Sequence, residues 1–450
     1  MTDLDAIVKA YDIRGVVPDQ LDADLAGRLG AAFGRFIRDD DPGVTEVLLG
    51  RDMRESGVAL SEAFAEGVMS QGLDIVDLGL ISTDLLYYAS GSRGAPGVVF
   101  TASHNPAEYN GIKSCRAGAA PIGAESGLAE IRRLAAEGVE PADTRGERRS
   151  EDLLEDFVAH VHALVGVAGI GAVKVVADVA NGMGGLVVPA MFAGLPVDLE
   201  VMYPELDGTF PNHPADPIQV ENQRDLRDRV LEVGASIGLA FDGDADRVFI
   251  VDEHAEPLSG STTTAMVGAA LLGREPGGTV LYNLICSKSV PEIVTERGGT
   301  AVRTRVGHSY IKSTMAETGA IFAGEHSGHY YFRDNYRADS GVIAALTILR
   351  LMAESGQPLS ELRKPFERYA ASGEINLRVG DQGAVIDRVR AAYSDADLDE
   401  LDGLTVDLGD WWFNLRASNT EPLLRLNLEA PDADSVDAHV AEVRAIIDGG

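Results

Sequence analysis

Residues 174–185 read KVVADVANGMGG. A short Val-rich run ends in Asp, turn-forming Asn and Gly follow, and an apolar helical stretch comes next. Short apolar strands that pass directly into helices belong to parallel or mixed sheets covered on both faces. The same order recurs at residues 47–57 (VLLGRDMRESG) and at 279–297, where TVLYNL leads into a helix over 290–297. Three such starts, at positions 47, 174 and 279, predict three related α/β units, although no sequence identity between them is visible. The last 80 or so residues differ. Strands are expected at 376–379 and 423–428 and a helix at 435–447, which describes a smaller α+β domain.

Polar stretches mark candidate linkers at 138–150 (GVEPADTRGERRS), 252–257 (DEHAEP) and 372–374 (SGE), the last a candidate hinge. The resulting division is 1–147, 148–254, 255–370 and 371–450, consistent with the size prior for 450 residues. Acidic side chains outnumber basic ones 71 to 38, for a net charge of −33, so the surface repels nucleic acid and anionic membranes. An anionic ligand must then be held by local basic or dipolar sites. Two cysteines, Cys115 and Cys286, exclude a disulfide framework and fit a reducing compartment. The opening MTDLDAIVKAYD lacks the basic and apolar regions of a signal peptide, and no run of 18 uncharged apolar residues occurs. A cytoplasmic protein is the expectation.

Four segments carry chemistry. TASHNP (101–106) follows the apolar run 97–100, so Ser103 stands where a strand leaves its sheet, the usual place for ligands in open α/β sheets. Ser103 beside His104 reads as a nucleophile or as an ordinary polar turn. DGDADR (242–247) places Asp242, Asp244 and Asp246 at alternating positions, where like charges call for a divalent cation. A calcium loop would use the same aspartates and Glu253 at its twelfth position, but needs Gly where Arg247 stands. Arg247 and the strand 248–251 therefore favour Mg²⁺ beside an anionic substrate. GEHSGHYYF (324–332) offers Glu325 and Ser327 to sugar hydroxyls and imidazoles for proton transfer. RASNTEP (416–422) gathers Arg, Ser, Asn and Thr into an anion nest or a surface turn.

In this order the four segments resemble the α-D-phosphohexomutase superfamily, in particular its bacterial phosphomannomutase/phosphoglucomutase branch. The likeness runs from KAYDIRG (9–15) through RASNTEP. It implies three α/β domains and a distinct fourth around a central cleft. It also implies interconversion of hexose 1- and 6-phosphates of mannose or glucose, through a phosphoserine and a hexose 1,6-bisphosphate. By the same resemblance Ser103 carries the phosphate, and Ser103, Asp242, Asp244 and Asp246 hold Mg²⁺. Glu325 and Ser327 contact the sugar. Arg416, Ser418, Asn419 and Thr420, with Arg425, clamp the phosphate that is not reacting. Tyr11 and Arg14 belong near the phosphoserine, and His104, Lys113 (in NGIK), Arg247, Gly307 and His308 (in RVGHS) line the cleft. Lys113 and His329 are the candidates for proton transfer, without a choice between them. Many relatives carry Lys where this chain has Ile285, which leaves open whether Lys288 substitutes. His326 stands where glucosamine-phosphate mutases carry Gln, which points to a neutral hexose. The alternatives are a phosphoglucosamine mutase, a Mg²⁺-dependent sugar-phosphate phosphatase and a non-catalytic sensor. A monomer or homodimer is expected.

Overall fold

The computed structural model describes residues 4–9, 11–417 and 423–449. Three mixed sheets share one plan. The first holds β1 (Ile13–Val16), β2 (Glu46–Arg51), β3 (Asp74–Leu80), β4 (Gly97–Phe100), β5 (Tyr109–Arg116), β6 (Ala120–Pro121) and β7 (Arg148–Ser150). Its order is β1-β5-β4-β2-β3-β7, with β6 beside β5. The second holds β8 (Val173–Asp178), β9 (Val197–Met202), β10 (Ile237–Phe241), β11 (Val248–Asp252) and β12 (Pro257–Leu258), in the order β12-β11-β10-β8-β9. The third holds β13 (Thr279–Asn283), β14 (Thr300–Thr304), β15 (Phe322–Gly324), β16 (Tyr330–Phe332) and β17 (Ala338–Asp339), in the order β14-β13-β15-β16-β17.

Counted from β2, β8 and β13, in each unit the first strand lies between the second and third, all three parallel, and the fourth returns antiparallel beside the third. Parallel strands need crossovers, and helices such as Ser56–Ser70, Gly184–Phe192 and Ser289–Glu296 supply them. The predicted three-fold recurrence is therefore a recurrence of topology. In the first unit the fifth strand's edge is filled from the N-terminus, by β1 pairing with β5.

One apolar cluster runs through all three units, joining Leu48 and Val76 to Val175 and Ile237 and on to Val280 and Phe322. The helices Gly260–Arg274 and Gly341–Ser355 are buried around most of their circumference within it, which is why neither shows a polar face in the sequence. The fourth unit has a core of its own, with Val389, Phe413, Leu426 and Val443. Its sheet is wholly antiparallel: β18 (Ala370–Arg378), β19 (Asp397–Asp399), β20 (Leu404–Asp407), β21 (Trp412–Ala417) and β22 (Leu423–Ala430), in the order β18-β22-β21-β20-β19. Helices Gln382–Ala392 and Ala433–Asp448 cover it.

Regular structure enters all three candidate linkers. Residues 252–257 close the β11–β12 hairpin, with Asp252 N donating to Glu256 O at 3.0 Å. The stretch 138–150 ends in β7, paired with β3. Residues 372–374 lie inside β18, where a bulge shifts the register between Ala371 and Glu374. There Leu428 N donates to Ser372 Oγ at 3.0 Å, and Gly373 takes φ 65°. A Ser-Gly pair reads as a break in sequence, and a bulge absorbs it without ending the strand.

Candidate active site

The connection from the third to the fourth strand is the same feature in all three α/β units. It is TASHNP in the first, DGDADR in the second and EHSGH in the third. Each reverses the chain through a left-handed residue: Ser103 (φ 49°), Ala245 (φ 61°) and Gly328 (φ 86°). Equivalent topology thus delivers all three motifs to one place. Gly243 is forced by this convergence, since a Cβ there would lie 2.3 Å from Ser103 O. Arg247 and His329 form an isolated bridge between the second and third loops.

Ser103 is 4% exposed. Its N–H donates to Thr101 Oγ1 at 2.9 Å, and its Oγ donates to Asp242 Oδ2 at 2.6 Å and lies 3.2 Å from His104 Nδ1. Asp242, Asp244 and Asp246 are all buried, and each offers an oxygen within 4.8 Å of the others. Lys113 on β5 donates to Asp244 Oδ2 at 2.6 Å and Asp246 Oδ2 at 2.7 Å. Thr83 adds an O–H to Asp244 Oδ2 at 2.6 Å and an N–H to Asp244 O at 3.1 Å. Arg247 Nε donates to Asp242 Oδ2 at 2.9 Å.

Burial and the neighbouring charges set the protonation here. Burial raises Asp242 well above the carboxylate range, against the pull of Arg247. Burial also works on Asp244, but Lys113 and Thr83 outweigh it and hold that group below the usual range. Burial and then the Asp244 charge raise Asp246. Burial, Arg247 and Arg14 keep His104 neutral, well below its ordinary value. Three close carboxylates facing one ammonium leave Asp244 Oδ1 and Asp246 Oδ1 buried without hydrogen-bond partners among the described residues. An all-oxygen donor set with orphaned buried oxygens fits a hard divalent cation. It is not a calcium loop of the kind weighed above: Glu253 turns away and accepts Ser360 N at 3.1 Å.

The sugar-loop candidates lie beside this cluster. Ser327 Oγ is 3.1 Å from His329 Nδ1, and His329 Nε2 lies 3.8 Å from Asp246 Oδ1. Glu325 is 2% exposed and accepts Tyr331 OH at 2.8 Å, Gly307 N at 3.2 Å and Asn283 Nδ2 at 3.3 Å. It therefore ties RVGHS to GEHSGH, and most of its acceptor capacity is already committed. His308 is pushed down to about 3 by burial and then by Lys312. Arg14 bonds Asn105 Oδ1 in the serine loop and pairs with Asp12 at 2.6 Å. Tyr11 packs instead on the third unit, its ring 5.0 Å from that of His308. The charges of Asp12, Glu325, Arg416 and Asp402 all reach Tyr11, so it marks the middle of the cleft.

Arg416 and Arg425 stand opposite each other on β21 and β22. Among the described residues, Arg416 Nη1 pairs with Asp402 and Arg425 Nε with Glu374, each at 3.6 Å, and neither Nε makes a hydrogen bond. The other clamp residues, Ser418, Asn419 and Thr420, lie outside the described residues. Lys288 does not stand in for a cleft lysine. Its ammonium donates to Asp407 Oδ1 at 2.6 Å and Gly409 O at 2.8 Å, joining the third unit to the fourth. Ile285 and His326 border a cavity of about 300 Å³ at the same junction, and His326 Nδ1 is 3.1 Å from Ser261 Oγ. Sequence reasoning missed Asp52, Arg54 and Thr83. RDMR reads only as the passage from a strand into a helix, although an Asp-x-Arg pair at a strand's carboxyl end is the available signal.

Comparison with known proteins agrees with this geometry. Profiles of the phosphoglucomutase/phosphomannomutase family match in four successive pieces: α/β/α domain I over 5–141, domain II over 155–256, domain III over 259–369 and the C-terminal domain over 374–446. The chain belongs to the phosphoglucomutase/phosphomannomutase family, a class of isomerases that work by phosphoryl transfer. Among relatives, a phosphomannomutase of Salmonella montevideo is 37% identical over 452 residues, with 98% of each chain covered. A phosphomannomutase of Escherichia coli strain K12 is 38% identical over 434 residues, with 94% of each covered. A solved phosphoglucomutase/phosphomannomutase family protein from Burkholderia thailandensis superposes with a TM-score of 0.90 at 31% identity, covering 100% of this chain and 99% of its own. Among the described residues, no helix is long and apolar enough to cross a membrane.

Proposed function

We propose that the chain interconverts hexose 1-phosphates and hexose 6-phosphates, of mannose and glucose, through phospho-Ser103 and a hexose 1,6-bisphosphate. The carrying observation is the 2.6 Å bond from Ser103 Oγ to Asp242 Oδ2, which sets the hydroxyl of one unit against the carboxylate cluster of the next. Phospho-Ser103 gives its phosphoryl group to the free sugar hydroxyl, and Ser103 Oγ later takes back the other phosphate. Asp242, Asp244 and Asp246 would hold Mg²⁺, which when bound neutralises charge on the transferring group. Among the described residues Arg247 Nη2 is buried without a hydrogen-bond partner, and Arg14 bonds Asn105 in the serine loop, so both suit phosphoryl oxygens. Lys113 spends its protons on two aspartates. His329, against Ser327 and near Asp246, is the better placed group for moving the proton of the sugar hydroxyl. Arg416 and Arg425 grip the idle phosphate from the fourth unit. The names of the phosphomannomutase relatives support mannose as one substrate.

The test is a side-by-side assay of mannose, glucose and glucosamine 1-phosphates, following both the 6-phosphate formed and any inorganic phosphate. Mannose and glucose should convert without phosphate release. Release in place of conversion would identify a phosphatase, and preference for glucosamine would move the chain to that branch.

A further inference from the structure

Arg54 takes no part in the chemistry above, yet it is 1% exposed and lies directly beneath the serine loop. All five of its guanidinium N–H groups are used. Nη2 donates to Ser103 O at 2.9 Å and Asn105 O at 2.6 Å. Nη1 donates to Pro106 O at 2.7 Å and Tyr109 O at 2.9 Å. Nε donates to Asp52 Oδ2 at 3.3 Å, and Asp52 Oδ1 accepts the Arg54 N–H at 2.9 Å. A loop that leaves β4 and returns as β5 cannot satisfy these carbonyls by strand pairing, and the buried Ser103 carbonyl in particular needs a partner. Only a planar fork with five fixed donors serves four of them at once; an ammonium has three donors at one point.

The loop holds a non-glycine residue, Ser103, in the left-handed region, a conformation that persists only when its surroundings enforce it. That conformation points Oγ at Asp242. The second unit closes over the fork from the far side. The Phe210 ring faces the guanidinium with 5.0 Å from Cζ to the ring centroid, and a Cβ on Gly208 would come within 2.8 Å of Arg54 Cα. The serine's placement and the docking of the unit that carries the aspartates therefore meet in one side chain.

We infer that Arg54, braced by Asp52, is the positioning residue that fixes Ser103 Oγ for phosphoryl transfer. The inference rests on the reading of Ser103 as the phosphorylated group. Every guanidinium N–H of Arg54 is spent on the protein itself, so its loss should act on transfer and not on binding. In Arg54→Lys, kcat should fall about 100-fold, the cost of roughly 1 Å of misplacement, while KM for glucose 1-phosphate stays within threefold. Phosphorylation of Ser103 by glucose 1,6-bisphosphate, followed by intact mass, should slow by the same factor. Asp52→Asn, isosteric and still able to accept the Arg54 N–H, should show the same split at about a tenth of the wild-type kcat. It carries the test if Arg54→Lys fails to fold. Wild-type kcat per folded molecule in either variant, with only a lowered Tm, would overturn the inference and leave Arg54 a structural residue. Ser103→Ala run alongside separates the two ideas. If that variant turns over, the phosphoserine reading has failed; if it is inert while Arg54→Lys is fully active, only the positioning role has.

Discussion

The two ends of the cleft are built differently. Around Ser103, the three aspartates, Lys113 and Arg247 are all at most 8% exposed and joined by bonds of 2.6 to 2.9 Å. They stand on units that share a single apolar core. At the other end Arg416 and Arg425 are half-buried, reach their carboxylates only at 3.6 Å, and stand on a unit with a separate core. The proposed chemistry accounts for the contrast. Transfer needs atoms fixed before substrate arrives. A bisphosphate that presents first one end and then the other needs a grip that can let go.

Changes at the two ends should accordingly fail in different kinetic terms. The largest effect belongs to Ser103→Ala, which should lose activity by about 10⁴-fold or more, as removal of a nucleophile does, with hexose phosphate binding by calorimetry nearly unchanged. Intact mass should show a phosphorylated fraction in the wild type and none in the variant. Strong residual turnover would dissolve the distinction between a reacting end and a gripping end. Arg416→Ala should instead raise KM about 10- to 100-fold, since a charge-assisted hydrogen bond to phosphate contributes on the order of 1.5–3 kcal/mol. Ser103 should still be phosphorylated by bisphosphate in that variant. A fall in kcat alone would place Arg416 at the wrong end.

A third effect concerns stability and lies on the rigid side. Asp84 is completely buried, accepts Ser340 Oγ at 2.8 Å across to the third unit, and bonds Ser82. Burial raises it to about 7, against the hydroxyl bonds, with the Asp246 charge adding to the rise. An acid raised in the folded state holds its proton while the unfolded chain has lost it. Stability should therefore be fullest near pH 4 and fall as pH climbs towards 7, by up to about 1.4 kcal/mol per pH unit for this one group. Denaturant melts of Asp84→Asn across that window should show a shallower slope than the wild type. An unchanged slope would mean that Asp84 is ionised in place.

The sequence displayed the reacting end well because its chemistry is contiguous. Ser103, the aspartates of DGDADR and Glu325 each sit in a short loop whose neighbours announce it, and three strand-to-helix starts foretold three units. What stayed hidden is pairing over long separations. Arg54 serves a loop 49 residues on, Thr83 meets Asp244 161 residues away, and Ser340 reaches Asp84 across 256. The Asp-x-Arg pair in RDMRES signals a site without naming its partners, and STDLL signals nothing. The bulge in β18 reads as a linker in the sequence because Ser-Gly looks alike in both settings. Lys288 could not be assigned from spacing, since its partners Asp407 and Gly409 belong to another unit.

Lys288 supplies the smallest prediction and tests the junction with the fourth unit directly. Its ammonium bonds the turn between β20 and β21 at Asp407 and Gly409, while its own N–H donates to Glu429 Oε1 at 2.9 Å. Glu429 also accepts Trp412 Nε1 at 2.8 Å, so the main-chain tether survives when the side chain is removed. The pair is partly exposed, at 24% for Lys288 and 39% for Asp407, and such pairs contribute at most about 1 kcal/mol. Lys288→Ala should therefore shift KM by no more than about fivefold, the factor that this energy allows, with kcat and Ser103 phosphorylation as in the wild type. Raising the salt concentration should shrink the gap between variant and wild type, because screening weakens the pair in the wild type alone. A KM change as large as that of Arg416→Ala would instead make Lys288 a phosphate ligand. Its bond to Asp407 would then have to break when substrate binds, and the grip would extend from the fourth unit onto the third.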